Sequence, residues 1–133
     1  MPGLYLHTPF CERKCAYCDF YSLPRAAFPS LGKAVARFFQ GLEKELAALP
    51  PDFAPETIYI GGGTPTALEA NQLGELLALV QWRIRCDAVR EWTVEANPGT
   101  LDVVKAEALR RAGVNRVSLG VQSLDDAALR RVG

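Results

Sequence analysis

Apolar residues recur along the chain in two rhythms. Between Ser30 and Leu49 they come at steps of three and four, as Val35, Phe38, Phe39, Leu42, Leu46 and Leu49. That spacing marks one face of an α-helix. Ser30 is placed to cap it, and Pro50-Pro51 stops it. Leu73, Leu76, Leu77, Val80 and Ile84 repeat the rhythm and predict a second helix. A third is expected from a cap at Thr100 to a stop at Gly113, and a fourth over Leu124 to Val132. Between these lie short runs rich in strand formers: Leu4–His7, Thr57–Ile60, Trp92–Ala96 and Arg116–Val121. They read as four strands.

Strands separated by helices form parallel βαβ units, so the fold class is α/β. There is no internal repeat beyond this alternation and no low-complexity segment. A chain of 133 residues holds at most one ordinary domain, and 49% hydrophobic content is enough for it to bury a core. The formal net charge is zero, which gives nucleic acid or an anionic membrane no general attraction to this chain. No apolar run reaches membrane-spanning length, and the N-terminus lacks the basic-then-apolar layout of a signal peptide. A cytoplasmic, reducing setting is the expectation. There, clustered cysteines read as metal-binding or catalytic before they read as disulfides.

Each distinctive motif follows a strand. Cys11, Cys15 and Cys18 (C-x3-C-x2-C) follow the first, Gly61-Gly62-Gly63-Thr64-Pro65 the second, Glu95-Ala96-Asn97-Pro98 closes the third, and Gln122-Ser123 the fourth. Parallel α/β folds gather ligand sites at the carboxyl ends of their strands, so four segments are expected to converge.

Each motif has a plain reading beside a functional one. The three thiols suit an iron–sulfur cube with one open iron, a zinc site completed by His7, or ordinary loop cysteines. The glycine run either lets a ligand approach the backbone or simply turns the chain, and it matches no phosphate-loop or dinucleotide pattern. Glu95 shares a strand face with Thr93; its carboxylate can accept from two ribose hydroxyls or sit solvated at a strand end. Gln122 can read a polar ligand or cap backbone groups. Arg110-Arg111 and Arg130-Arg131 read as solvated helix faces, and Cys86, alone in another segment, reads as packing.

The cysteine loop, with Tyr17 before its third cysteine, resembles the radical S-adenosylmethionine (SAM) superfamily. Tyr5-Leu6-His7-Thr8-Pro9-Phe10-Cys11 looks like the YxHxPFC opening of one branch, which holds oxygen-independent coproporphyrinogen III oxidases and related heme chaperones. Gly61–Thr66, Glu95–Gly99 and Ser118–Ser123 match that branch in the same order. The resemblance implies a partial (β/α)6 barrel, with residues 1–133 as the N-terminal part of its core and the C-terminal half and substrate region absent. It implies a [4Fe–4S] cluster on Cys11, Cys15 and Cys18, whose fourth iron is chelated by SAM. It places Tyr5, Gly62, Gly63 and Thr64 along the SAM site, Tyr17 over the cofactor, Glu95 on the ribose and Gln122 at the close of the pocket. Tyr17, Gly63, Thr64 and Gln122 also match positions for a second SAM. The implied chemistry is one-electron cleavage of SAM to methionine and a 5′-deoxyadenosyl radical. The implied partners are a porphyrin or heme, an electron-donor protein and a heme-acceptor protein.

Two positions depart from the branch. Phe20 stands where the oxidases carry a further cysteine, which points towards the heme chaperones. Thr8 stands where isoleucine is usual.

Overall fold

Four parallel strands make the main sheet: β1 (Gly3–Thr8), β4 (Thr57–Gly62), β5 (Glu91–Ala96) and β6 (Arg116–Leu119), hydrogen-bonded in that order. A computed structural model describes residues 2–132. The register aligns Leu6 with Ile60, Ile60 with Val94, and Glu95 with Ser118. The joining helices are α1 (Leu31–Ala47), α2 (Ala70–Arg83) and α3 (Val103–Arg111), followed by the short α4 (Asp126–Val132).

Strand periodicity divides the sheet into two faces. Leu6, Ile58, Ile60, Trp92 and Val94 are buried with Val35, Leu42 and Leu46 of α1, Leu73, Leu76, Leu77 and Val80 of α2, and Leu109 of α3. Truncating one such leucine to alanine costs about 2–5 kcal/mol. The other face carries Tyr5, His7, Tyr59, Thr93, Glu95, Arg116 and Ser118 in alternate positions. It is polar, and its upper rows lead to the motifs at the strand ends.

Several boundaries differ from the expected ones. β4 runs through Gly61 and Gly62, so the turn begins at Gly63. β6 ends at Leu119, and Gly120–Ser123 folds as a tight turn with Gln122 at φ 65°. Asp102, not Thr100, caps α3: its carboxylate accepts from the Lys105 N–H at 2.8 Å. Thr100 is drawn instead to the Asn97 turn, where its hydroxyl donates to the Asn97 carbonyl. Gly113 does end α3, at φ 94°; its N–H bonds the Arg110 carbonyl and the Val114 N–H reaches the Leu109 carbonyl. Ser30 precedes α1, but its side chain makes no capping bond. α2 is capped by a reciprocal pair that the apolar pattern does not reveal: Glu69 holds the N–H of the third helical residue, Gln72, whose side chain accepts from the Glu69 N–H.

A second, two-stranded parallel ladder joins β2 (Phe10–Cys11) to β3 (Leu23–Pro24). It pinches the two ends of the cysteine loop together.

Candidate metal centre and cofactor site

Cys11 is placed by the residue before it. Phe10 is buried, with the rings of Phe28 and Phe38 each 5.5 Å away. This aromatic anchor holds β2 against the core and leaves Cys11 at the surface of the packed layer. Cys15 and Cys18 are the ends of a turn, closed by the Cys18 N–H donating to the Cys15 carbonyl at 3.1 Å. A four-residue turn brings the side chains at its ends close together.

The rest of the loop is tied from within. The Lys14 ammonium donates to the Phe20 carbonyl at 2.6 Å and reaches the carbonyl and hydroxyl of Ser22 at 3.4 Å each. The Leu23 N–H donates to the Pro9 carbonyl at 2.8 Å. His7 adds a tie from β1: its Nε2 lies 2.6 Å from the Tyr21 carbonyl oxygen and its Nδ1 3.1 Å from the Tyr5 hydroxyl. A carbonyl oxygen only accepts, so Nε2 carries the proton and Nδ1 accepts from Tyr5. With both nitrogens engaged, His7 does not complete a metal set with the cysteines, as the zinc reading required.

The glycine run meets the cysteine loop backbone to backbone. The Gly63 N–H donates to the Thr8 carbonyl at 2.6 Å, and the Thr64 N–H to the Phe10 carbonyl at 2.7 Å. A Cβ at Gly63 would run into both carbonyls, so glycine is required there by the close approach. Gly62 takes φ 105°, and a Cβ on it would strike the His7 ring. Thr8 is fully buried on the core side of β1, where its hydroxyl donates to the Gly61 carbonyl at 3.0 Å. An isoleucine in its place could not make that bond.

Glu95 reaches across β4 through space that Gly61 leaves open; a Cβ at Gly61 would come within 2.8 Å of its carboxylate. Oε1 accepts from the Tyr59 phenol at 2.5 Å and Oε2 from the Gly62 N–H at 3.2 Å. Glu95 is therefore a held carboxylate and not a solvated strand-end charge. The hydrogen bond to Glu95, then burial, push the Tyr59 phenol above the usual tyrosine value; Ser118 and Arg116 pull the other way. Burial, then the Glu95 charge, raise Tyr5 as well.

These parts share a cavity of about 340 Å³ lined by Cys11, Cys15, Cys18, Tyr17, Gly62, Gly63, Thr64, Glu95, Asn97 and Gln122, among others. A larger space of about 740 Å³ lies beside it, and Cys15, Tyr17, Asn97 and Gln122 border both. Tyr17 is 54% exposed. Tyr5 is not on the wall of the first cavity: it lies one row lower on the sheet, its ring stacked on Tyr59 with centroids 6.0 Å apart. Cys86 stays apart, half-buried against the core. Among the described residues, no three His, Cys, Asp or Glu side chains are drawn close enough to share a single metal ion. Tyr59 stands outside the motifs, and Asn97 lies within one of them without a role of its own. Tyr59 was readable only as a strand residue, because its pairing with Glu95 depends on the β4–β5 register.

Residues 5–133 match the family model described as the radical SAM superfamily. The chain belongs to the radical SAM superfamily. This radical SAM chain is 39% identical over 131 residues to the Heme chaperone HemW of Escherichia coli (strain K12), covering 98% of this chain and 34% of that protein. It is 38% identical over 139 residues to the Heme chaperone HemW of Bacillus subtilis (strain 168), covering 100% of this chain and 35% of the relative. Among solved structures, it superposes on the coproporphyrinogen III oxidase (HemN) of Escherichia coli, a radical SAM enzyme, with a TM-score of 0.82. Identity there is 29%, covering 98% of this chain and 30% of the oxidase chain. The chain thus spans about a third of the length of the relatives it matches. The four-stranded parallel sheet with its helices is the radical SAM fold, present as part of a barrel. The family implies SAM and a [4Fe–4S] cluster, and the donor chemistry fits both. Three soft thiol sulfurs line one cavity, beside a glycine turn and a carboxylate with accepting capacity to spare.

Proposed function

We propose that this chain is the N-terminal part of a radical SAM core from a protein of the heme-chaperone type, which binds heme and passes it to an acceptor. The observation that carries the reading is convergence: the cysteine loop, the glycine turn, Glu95 and Gln122 come from four strand ends and line one cavity.

Cys11, Cys15 and Cys18 hold the cluster, and the absence of a fourth cysteine from the loop leaves one iron for SAM. When bound, the cluster and SAM supply one-electron cleavage chemistry, which belongs to the cofactors. The chain's own residues bind and orient. Gly62 and Gly63 present backbone without side chains. Glu95, already accepting from Tyr59 and Gly62, keeps lone pairs for two ribose hydroxyls. Tyr17 and Gln122, on the wall between the two cavities, close over the cofactor or over a second SAM. Arg13 borders both spaces and offers a cation to a carboxylate of SAM or of a porphyrin. No helix among the described residues is long and apolar enough to cross a membrane. A cytoplasmic setting, with a protein electron donor and a heme acceptor, completes the proposal.

A second reading, as an oxygen-independent coproporphyrinogen III oxidase, draws on the structural likeness to that enzyme. Phe20 weighs against it. Its side chain is 68% exposed at the cavity edge, where the oxidases resembled here carry a further cysteine. The two readings part in one experiment on the full-length protein, reconstituted anaerobically. Heme binding without conversion of coproporphyrinogen III to protoporphyrinogen IX is expected. Stoichiometric conversion in the presence of SAM and reductant moves the protein to the oxidase branch, and a colourless preparation without iron removes both.

A further inference from the structure

We propose that Thr64 and Asn97 are positioning residues that set the reduction potential of the cluster through a hydrogen bond to the Cys11 sulfur. The inference rests on the cluster reading above.

Thr64 is 4% exposed, and a hydroxyl buried to that degree needs partners. It has two. Asn97 Nδ2 lies 2.9 Å from Thr64 Oγ1, and Cys11 Sγ lies 3.8 Å from it. A hydroxyl owns one hydrogen and two accepting lone pairs, while an amide nitrogen only donates. Asn97 therefore takes a lone pair of Thr64 and leaves its single O–H for the sulfur. An iron-bound thiolate carries more negative charge than a thiol, and charged acceptors draw donors closer.

Both ends of this relay are fixed. The Thr64 backbone is pinned to the Phe10 carbonyl. The Asn97 N–H donates to Thr100 Oγ1 at 3.1 Å, and Thr100 Oγ1 lies 2.7 Å from Thr66 Oγ1. The Lys105 ammonium then clamps the carbonyls of Thr66 and Thr100 at 2.7 and 3.1 Å. A chain of polar contacts thus runs from α3 to the cluster loop, and its last member is an O–H aimed at a ligand sulfur.

Hydrogen bonds to ligand sulfurs draw charge from the irons and make the added electron easier to accept, so they raise the potential. The step concerned is the addition of one electron from an external reductant such as dithionite, taking [4Fe–4S]2+ to [4Fe–4S]+; no bond to the protein forms or breaks. This role is separate from contact with SAM, because it acts when SAM is absent.

The test is a redox titration of the reconstituted full-length protein without SAM, followed by electron paramagnetic resonance, after iron and sulfide have been counted. Thr64→Val keeps the shape and removes the hydroxyl, and its midpoint should move to more negative potential. Thr64→Ser should restore the parent value. Asn97→Leu should move it in the same direction as Thr64→Val. The double variant should move no further than Thr64→Val alone, since Asn97 reaches the sulfur only through the Thr64 hydroxyl. A fully loaded Thr64→Val variant with the parent midpoint overturns the proposal, as does an additive double variant. Should Thr64→Val lose its cluster, Asn97→Leu decides: an unchanged midpoint refutes the relay and a negative shift supports it. A parent that binds no iron is a different result, and it refutes the cluster reading itself.

Discussion

Tyr59 and Glu95, on adjacent strands, form a 2.5 Å hydrogen bond in which the phenol donates to the carboxylate. The pair fixes the Glu95 side chain before any ligand arrives and tells the phenol to keep its proton. Because Tyr59 titrates above the usual tyrosine range when folded, its contribution to stability is fully present below about pH 10, the unfolded value. It is lost as pH rises through the higher folded value. Ultraviolet titration of tyrosinate in parent and Glu95→Gln should show Tyr59 moving to lower pH in the variant, with Tyr5, which Glu95 reaches by charge alone, moving less. An unchanged curve would mean that the hydrogen bond does not govern Tyr59.

Glu95→Ala should weaken SAM binding about ten- to a hundredfold, the loss of one or two hydrogen bonds to a charged group, while leaving the iron content at the parent level. Calorimetry on the full-length protein measures the first and iron analysis the second. Tyr59→Phe should weaken SAM binding less, because the carboxylate remains and loses only one of its holders.

Alanine at Cys11, Cys15 or Cys18 should abolish cluster binding. Cys86→Ala should keep it, because Cys86 contacts only its own segment and the core, with Sγ 3.4 Å from the Ile84 carbonyl. Visible absorption with iron and sulfide counts separates the variants. Loss of iron in Cys86→Ala would refute the ligand assignment.

Glycine substitutions should divide by location. Gly41 and Gly74 lie inside α1 and α2, and a Cβ on either meets nothing within 4 Å. Alanine at each should stabilise the fold by roughly 0.5–1 kcal/mol. Gly63→Ala should do the reverse, since its Cβ meets backbone carbonyls that cannot step aside. Gly62 is a poor probe of ligand approach alone: its φ of 105° and the His7 ring both oppose a side chain whether or not SAM binds. Denaturant melts rank the three alanine variants.

The strands, helices and strand-end motifs were legible because burial periodicity and turn residues are local signals. The misses are competitions settled in three dimensions. Thr100 and Asp102 both suit a helix cap, and Thr100 was claimed first by the Asn97 turn and Thr66. Phe10 sits in a motif that draws the eye to Cys11, yet its packing with Phe28 and Phe38 comes from residues 18 and 28 positions away. His7 looked like a fourth metal ligand because sequence places it near the cysteines. The Tyr21 carbonyl, on the far side of the same loop, occupies its Nε2. The position of Tyr5 also depends on register: the strand rise sets it a row below the first cavity's wall, stacked on Tyr59.

The cysteine loop is closed by Lys14, His7 and the β2–β3 ladder, all ties between protein groups. Ordering about a dozen loop residues costs conformational entropy, and these ties offset part of it. The loop is thus a clasp with three fasteners, and one that loses a single fastener, as in Lys14→Ala, should loosen without opening.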